Sequence, residues 1–106
     1  MAAILTANEF SKHVNTRFHA TLDAETKADL ELVEVKTYTS KHEEQSGMER
    51  FSVYFTGPAN PLLLQKLYAF QHDEMGEFEV FLVPLSRNDE GSRYEAVFNY
   101  FKKSDE

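Results

Sequence analysis

Apolar residues fall on every second position through six short stretches of this chain, and residues that reverse the backbone separate those stretches. A pattern of period two places one side-chain set on a common face of an extended strand, so it commits the chain to β-structure. Arg17 to Leu22 sets Phe18, Ala20 and Leu22 on one side. From Asp29 to Tyr38 the apolar positions are Leu30 and Leu32, then Val33 and Val35. The parity changes between Leu32 and Val33, and a β-bulge there restores the inward register. Arg50 to Thr56 aligns Phe51, Val53 and Phe55. Lys66 to His72 reads as a further strand. Phe78 to Leu85 is apolar at both parities, which predicts a central strand covered on both faces. "RYEAVFNYF", Arg93 to Phe101, puts Tyr94, Ala96, Phe98 and Tyr100 on one side, the expected core face, with Ala96 leaving room between larger neighbours.

The separators carry turn chemistry. "HDEMGEF" predicts a tight hairpin with Gly76 at positive φ, and "RNDEG" predicts another with Gly91 in the left-handed position. "GPANP", Gly57 to Pro61, is a corner, and Leu62 to Gln65 adds a helical turn or extended cover after it. "TSKHEEQSGME" is polar and aperiodic and reads as a long, mobile connection. Ahead of the strands, "TANE" fits a capping box with Thr6 at the N-cap and Glu9 reaching back, flanked by a Leu5–Phe10 staple. A short helix from Ala7 to about His13 is expected, with Phe10 and Val14 on one face packed over one end of the core.

Hairpin signals between successive strands favour antiparallel pairing. The expected fold is therefore mainly β: a small antiparallel barrel or sandwich of about six strands with a short N-terminal helix. A chain of 106 residues holds one domain, 1–106, and its nine Phe and five Tyr supply large building blocks for one core. No internal repeat is evident in the sequence.

The net charge of −7 repels phosphate backbones, so no nucleic acid is expected as a partner. No apolar stretch approaches the ~20 residues that span a bilayer, and "MAAILTANEF" lacks the basic flank of a signal peptide. The expectation is synthesis in the cytoplasm without membrane association. Cys is absent, which removes disulfides and thiolate ligands. "HEEQS" has Ser46 where a helical zinc-protease motif needs its second His, and "HDE" at His72 to Glu74 is a turn whose side chains diverge. No metal, cofactor or catalytic residue is expected. Gly47, Gly57, Gly76 and Gly91 are isolated, so no phosphate loop exists, and there is no nucleophile elbow. Glu95 is expected to pair with a base on a neighbouring strand; an enzyme using Glu95 or Asp73 is the weakest of three readings.

"FTGP" (Phe55 to Pro58), "LLQKLYAFQHDEMG", "FLVPL" (Phe81 to Leu85) and "RYEAVFN" (Arg93 to Asn99), with the phenylalanine-containing helix and "LELVEV", occur in an order that resembles a family of small bacterial domains of unknown function. Its members end in a YEAVFN-like strand; many have Gly where this chain has Lys66. The resemblance covers nearly the whole chain. It implies a compact, mainly β domain without assigned catalysis, associated with phage-tail-like gene neighbourhoods and hence with an assembly role, incorporated in a larger particle.

The leading expectation is a non-catalytic protein-interaction module. It would contact a protein partner, or a second copy of itself, through a strand edge or an aromatic rim at Tyr94 and Tyr100. The alternative is a small-molecule-binding barrel with aromatics lining a pocket. A filled core favours the first and a large apolar cavity the second.

Overall fold

The structure, a computed structural model, describes residues 6–38, 47–58 and 63–101, apart from the side chains of Met48, Tyr100 and Phe101. A helix, α1 (Ala7–Ser11), leads into six strands: β1 (Arg17–Thr21), β2 (Lys27–Thr37), β3 (Met48–Gly57), β4 (Lys66–His72), β5 (Gly76–Asn88) and β6 (Gly91–Phe101). All pairings are antiparallel, and the strands close into a barrel in the order β1-β2-β3-β6-β5-β4. Of the two architectures the alternation allowed, the chain adopts the barrel.

The ring consists of two three-stranded meanders, β1-β2-β3 and β4-β5-β6. They meet along a long β3–β6 ladder, Met48↔Phe101 to Gly57↔Ser92, and a short β1–β4 ladder, His19↔Gln71 to Thr21↔Ala69. Each meander carries a register shift between its second and third strands. One lies between Leu32 and Glu34, as the parity switch requires, and the other between Pro84 and Ser86. The two halves thus repeat in architecture although no repeat is evident in the sequence. The second bulge also accommodates Pro84, whose missing N–H cannot serve a regular ladder.

Inward-facing residues fill the ring. Phe18, Ala20, Leu30, Leu32, Phe51, Val53, Phe55, Phe70, Val80, Leu82, Tyr94 and Ala96 are all buried. Helix α1 plugs one end. Thr6 caps it, its Oγ1 accepting the Glu9 N–H at 3.0 Å. The Glu9 carboxylate turns to Lys12, 3.3 Å away, and to His13, 3.7 Å away. Leu5, the proposed staple partner, lies outside the described residues. The helix ends at Ser11, two residues before the expected His13, and Asn15 at φ 72 swings the chain into β1. Phe10 is fully buried among Phe18, Phe51, Phe78 and Phe98, with ring centroids 5.5–6.3 Å away. Phe98, expected in the core, is half-buried, because it stands on the barrel rim and stacks on Phe51 at 4.9 Å.

The described ends of the β3–β4 connection, Pro58 and 63–65, lie at the opposite end. Leu63 is buried there, and its N–H donates to the Tyr94 hydroxyl at 3.0 Å. Ser92 Oγ donates to the Pro58 carbonyl, and the Tyr68 hydroxyl to the Leu64 carbonyl at 2.7 Å. Lys66 opens β4 as expected.

Two expectations are corrected. The outer side of β5 is not covered: in a barrel of six strands one face of every strand looks outward, and Phe81 and Leu85 are exposed. Gly91 does not occupy the left-handed region, which among the glycines holds Gly47 and Gly76 (φ 87). Its hairpin is organised by Asn88, whose Oδ1 accepts the N–H groups of Glu90 and Gly91. The long connection expected between β2 and β3 falls mostly on 39–46, including the "HEEQS" motif, and lies outside the described residues.

Candidate functional site

The outward faces divide into two halves of different chemistry. Across β2, β3 and β6 the surface is polar and internally bonded. Arg93 lies over the Tyr54 ring at 4.9 Å and pairs with Glu34 at 3.1 Å, spanning three strands. The Tyr54 hydroxyl donates to Glu95 Oε2 at 3.1 Å, so the Tyr38 hydroxyl, 3.1 Å away, is the donor to Tyr54. Burial and the Glu95 carboxylate, which accepts its proton, hold the Tyr54 phenol protonated, well above its ordinary range. Glu95 thus takes a phenol proton as its partner, while the nearby Arg93 is engaged by Glu34.

On β4 and β5, with Val97 of β6, large apolar side chains are exposed among polar ones. Leu67 and Phe81 are directly opposed cross-strand neighbours, 53% and 48% exposed. Val97, 56% exposed, occupies the outward parity of β6 two residues beyond Glu95, which pairs with Val83 on β5. Leu85, at the second bulge, is 48% exposed. The two parities of β5 explain this band: Phe78, Val80 and Leu82 belong to the interior, and Phe81, Val83 and Leu85 to the outside. Glu77 and Glu79 border it towards the helix end, opposite Gln71 and Ala69, and Glu95 borders it on β6. An opposed pair of exposed apolar side chains with further apolar and charged residues around it is a candidate for a protein contact.

The residues singled out from the sequence are placed differently. Tyr94 is fully buried, and its hydroxyl is engaged by Leu63. The Tyr100 side chain lies outside the described residues. The ring leaves no strand of the barrel without a neighbour on either side, so the expected edge is taken up by the β1–β4 ladder. Glu95 and Asp73 are not brought together: Glu95 is on the outer face of β6 and Asp73 in the β4–β5 turn.

The concave surface is polar. A groove of about 730 Å³ runs along the Gly57–Gly91 end, lined by Arg17, Asp29, Glu31 and Arg93 among others. A second, about 480 Å³, lies between Thr16, His19, Glu31 and the His72–Glu74 turn. Among the described residues, no three His, Asp or Glu side chains are grouped as a metal would require. No helix among them is long and apolar enough to cross a membrane.

At the second groove His72 faces inward and is buried. Its Nδ1 accepts the N–H groups of Glu74 and Met75, each at 3.1 Å, and its Nε2 lies 2.9 Å from Thr16 Oγ1. Thr16 spends its single hydroxyl proton on the His13 carbonyl, 2.6 Å away, so Nε2 carries the ring proton and Thr16 accepts it. Burial first, and the neighbouring His13 second, push the His72 pKa below the ordinary imidazole value.

Neither curated proteins nor solved structures give a match to this chain. The strand order and turns described above are carried by residues 5–98, which match the model of DUF6916, a domain of unknown function; the chain belongs to that family.

Proposed function

We propose that this domain is a non-catalytic protein-interaction module whose contact surface is the apolar band on the outside of β4, β5 and β6. The observation that carries the reading is the exposure of Leu67 and Phe81 as an opposed pair, extended by Leu85 and Val97. Removing such side chains from water contributes roughly 25 cal/mol per Å² on association. The interior supports the same reading, because aromatic side chains fill the space that a ligand-binding barrel would keep open. The border of Glu77, Glu79 and Glu95 and a net charge of −7 favour a partner with Lys or Arg around an apolar ridge. A second copy, equally acidic, fits less well. An assembly role in a bacterial, tail-like or fibrous particle is part of this proposal and rests on the resemblance of the strand patterns alone.

A photo-crosslinking phenylalanine analogue placed at Phe81, or at Glu31 on the far side of the ring, tests the surface in the native assembly. An adduct from position 81 with a basic partner, and none from 31, is the expected result. Adducts from 31 alone would overturn the placement, and an adduct between two copies would replace the partner by self-association.

A further inference from the structure

Three hairpin turns of the barrel use the same device: one side-chain acceptor at the start of the turn takes two successive backbone N–H groups. Asp23 Oδ1 accepts from Glu25 and Thr26, and Asn88 Oδ1 from Glu90 and Gly91. His72 Nδ1 does so for Glu74 and Met75. Asn88 cannot titrate, and Asp23 is charged throughout the neutral range. Only His72 puts a group that titrates near neutrality in this role.

We propose that the His72 turn is an acid-sensitive latch, in which a proton on Nδ1 breaks the Glu74 and Met75 hydrogen bonds and detaches the segment from Ala7 to Thr16 from the end of the barrel. The protonated ring would bring three donors together with no acceptor between them. The segment is tied to that ring by two contacts and to its turn by a third. Thr16 holds Nε2, the His13 ring lies 4.6 Å from the His72 ring, and Glu74 Oε1 lies 3.9 Å from His13 Nδ1. Phe18 packs on the other side of the imidazole at 4.3 Å. The groups facing His72 are His13 from the segment after α1, His19 from β1, and Asp73 and Glu74 from its own turn. The two carboxylates favour the cation, but burial and the second imidazole oppose it more strongly. Glu9 faces His13 rather than His72, at 3.7 Å.

The sign follows from the neutral folded form. In the unfolded chain His72 takes up a proton below about pH 6.5, and in the folded chain only at lower pH. Stability is therefore complete above that value and falls as the pH drops towards the folded-state pKa. Opening exposes Phe10 and the rings it covers, so acid would uncover a second apolar surface.

Amide hydrogen exchange at pH 7.5 and 5.5, corrected for the intrinsic rates, tests the latch on the intact chain. Protection at Phe10, His13, Glu74 and Met75 should fall by up to roughly tenfold at pH 5.5, one unit below the ordinary imidazole value. The His72→Asn variant, which restores the arrangement seen at Asn88, should lose that pH dependence. Equal acid sensitivity in wild type and His72→Asn, or none in wild type, would overturn the proposal. Nitrogen NMR of the His72 ring gives a reading independent of any variant. A proton on Nε2 at pH 7.5 and a midpoint below 6.5 are expected, and a proton on Nδ1 or a higher midpoint would sink it.

Discussion

The carbonyl oxygen of Gly57 stands 2.7 Å from the place a β-carbon on Gly91 would take. The two residues close the barrel end where β3 finishes and β6 begins, and Gly57 itself has Leu30 Cδ2 where its own β-carbon would stand. Gly91 is glycine for want of space, whereas Gly76 is glycine for its φ of 87, with nothing within 4 Å of its missing side chain. Gly91→Ala should destabilise by about 1–3 kcal/mol through overpacking against backbone. Gly76→Ala should cost about 1–2 kcal/mol through conformation alone. Urea unfolding of both, with D-alanine introduced at 76 by chemical ligation, separates the causes: the D-residue should remove the penalty at 76.

Tyr94 turns its hydroxyl to the N–H of Leu63, and both residues are buried. Tyr94→Phe keeps the ring and strands a buried donor, so the expected loss is about 1–3 kcal/mol. Chemical denaturation gives the magnitude, and faster exchange of the Leu63 amide locates it. An unchanged midpoint would mean that the connection at this end contributes nothing to closure.

At the other end, Phe10→Ala should cost about 3–5 kcal/mol, because the ring is fully buried among four others. Phe98→Ala should cost less, since that ring is half-buried on the rim. Thr6→Ala should cost about 1 kcal/mol through loss of the cap. Thermal unfolding ranks the three, and a larger loss from Phe98 than from Phe10 would contradict the plug.

The six strands, the Thr6 cap, the bulge after Leu32 and the turn at Gly76 were legible because each is a local signal: a period, a parity switch, a backbone requirement. Ring closure was not, since nothing within β1 or β4 marks Thr21 and Ala69 as neighbours. The outer band was hidden for a related reason. Phe81, Val83 and Leu85 have the same composition whether a strand is covered twice or exposed once, and only the closed ring decides between them. Tyr94 was read correctly as a member of the inward face, but its hydroxyl partner is a backbone N–H far along the chain. His72 looked like one of three polar turn residues. Its inward direction follows from the parity of Tyr68 and Phe70 in β4, a signal that was present and unused.

Two meanders joined by one connection also make a statement about folding order. Each meander can form from neighbours in sequence, and the long β3–β6 ladder then joins them side by side. The β1–β4 ladder, three residue pairs between distant segments, is much the shorter of the two seams. Closure of the ring at this short seam is therefore expected last in folding and its reversal first in unfolding. Mutations at His19, Ala20, Gln71 or Phe70 should act on the unfolding rate and leave the folding rate nearly unchanged.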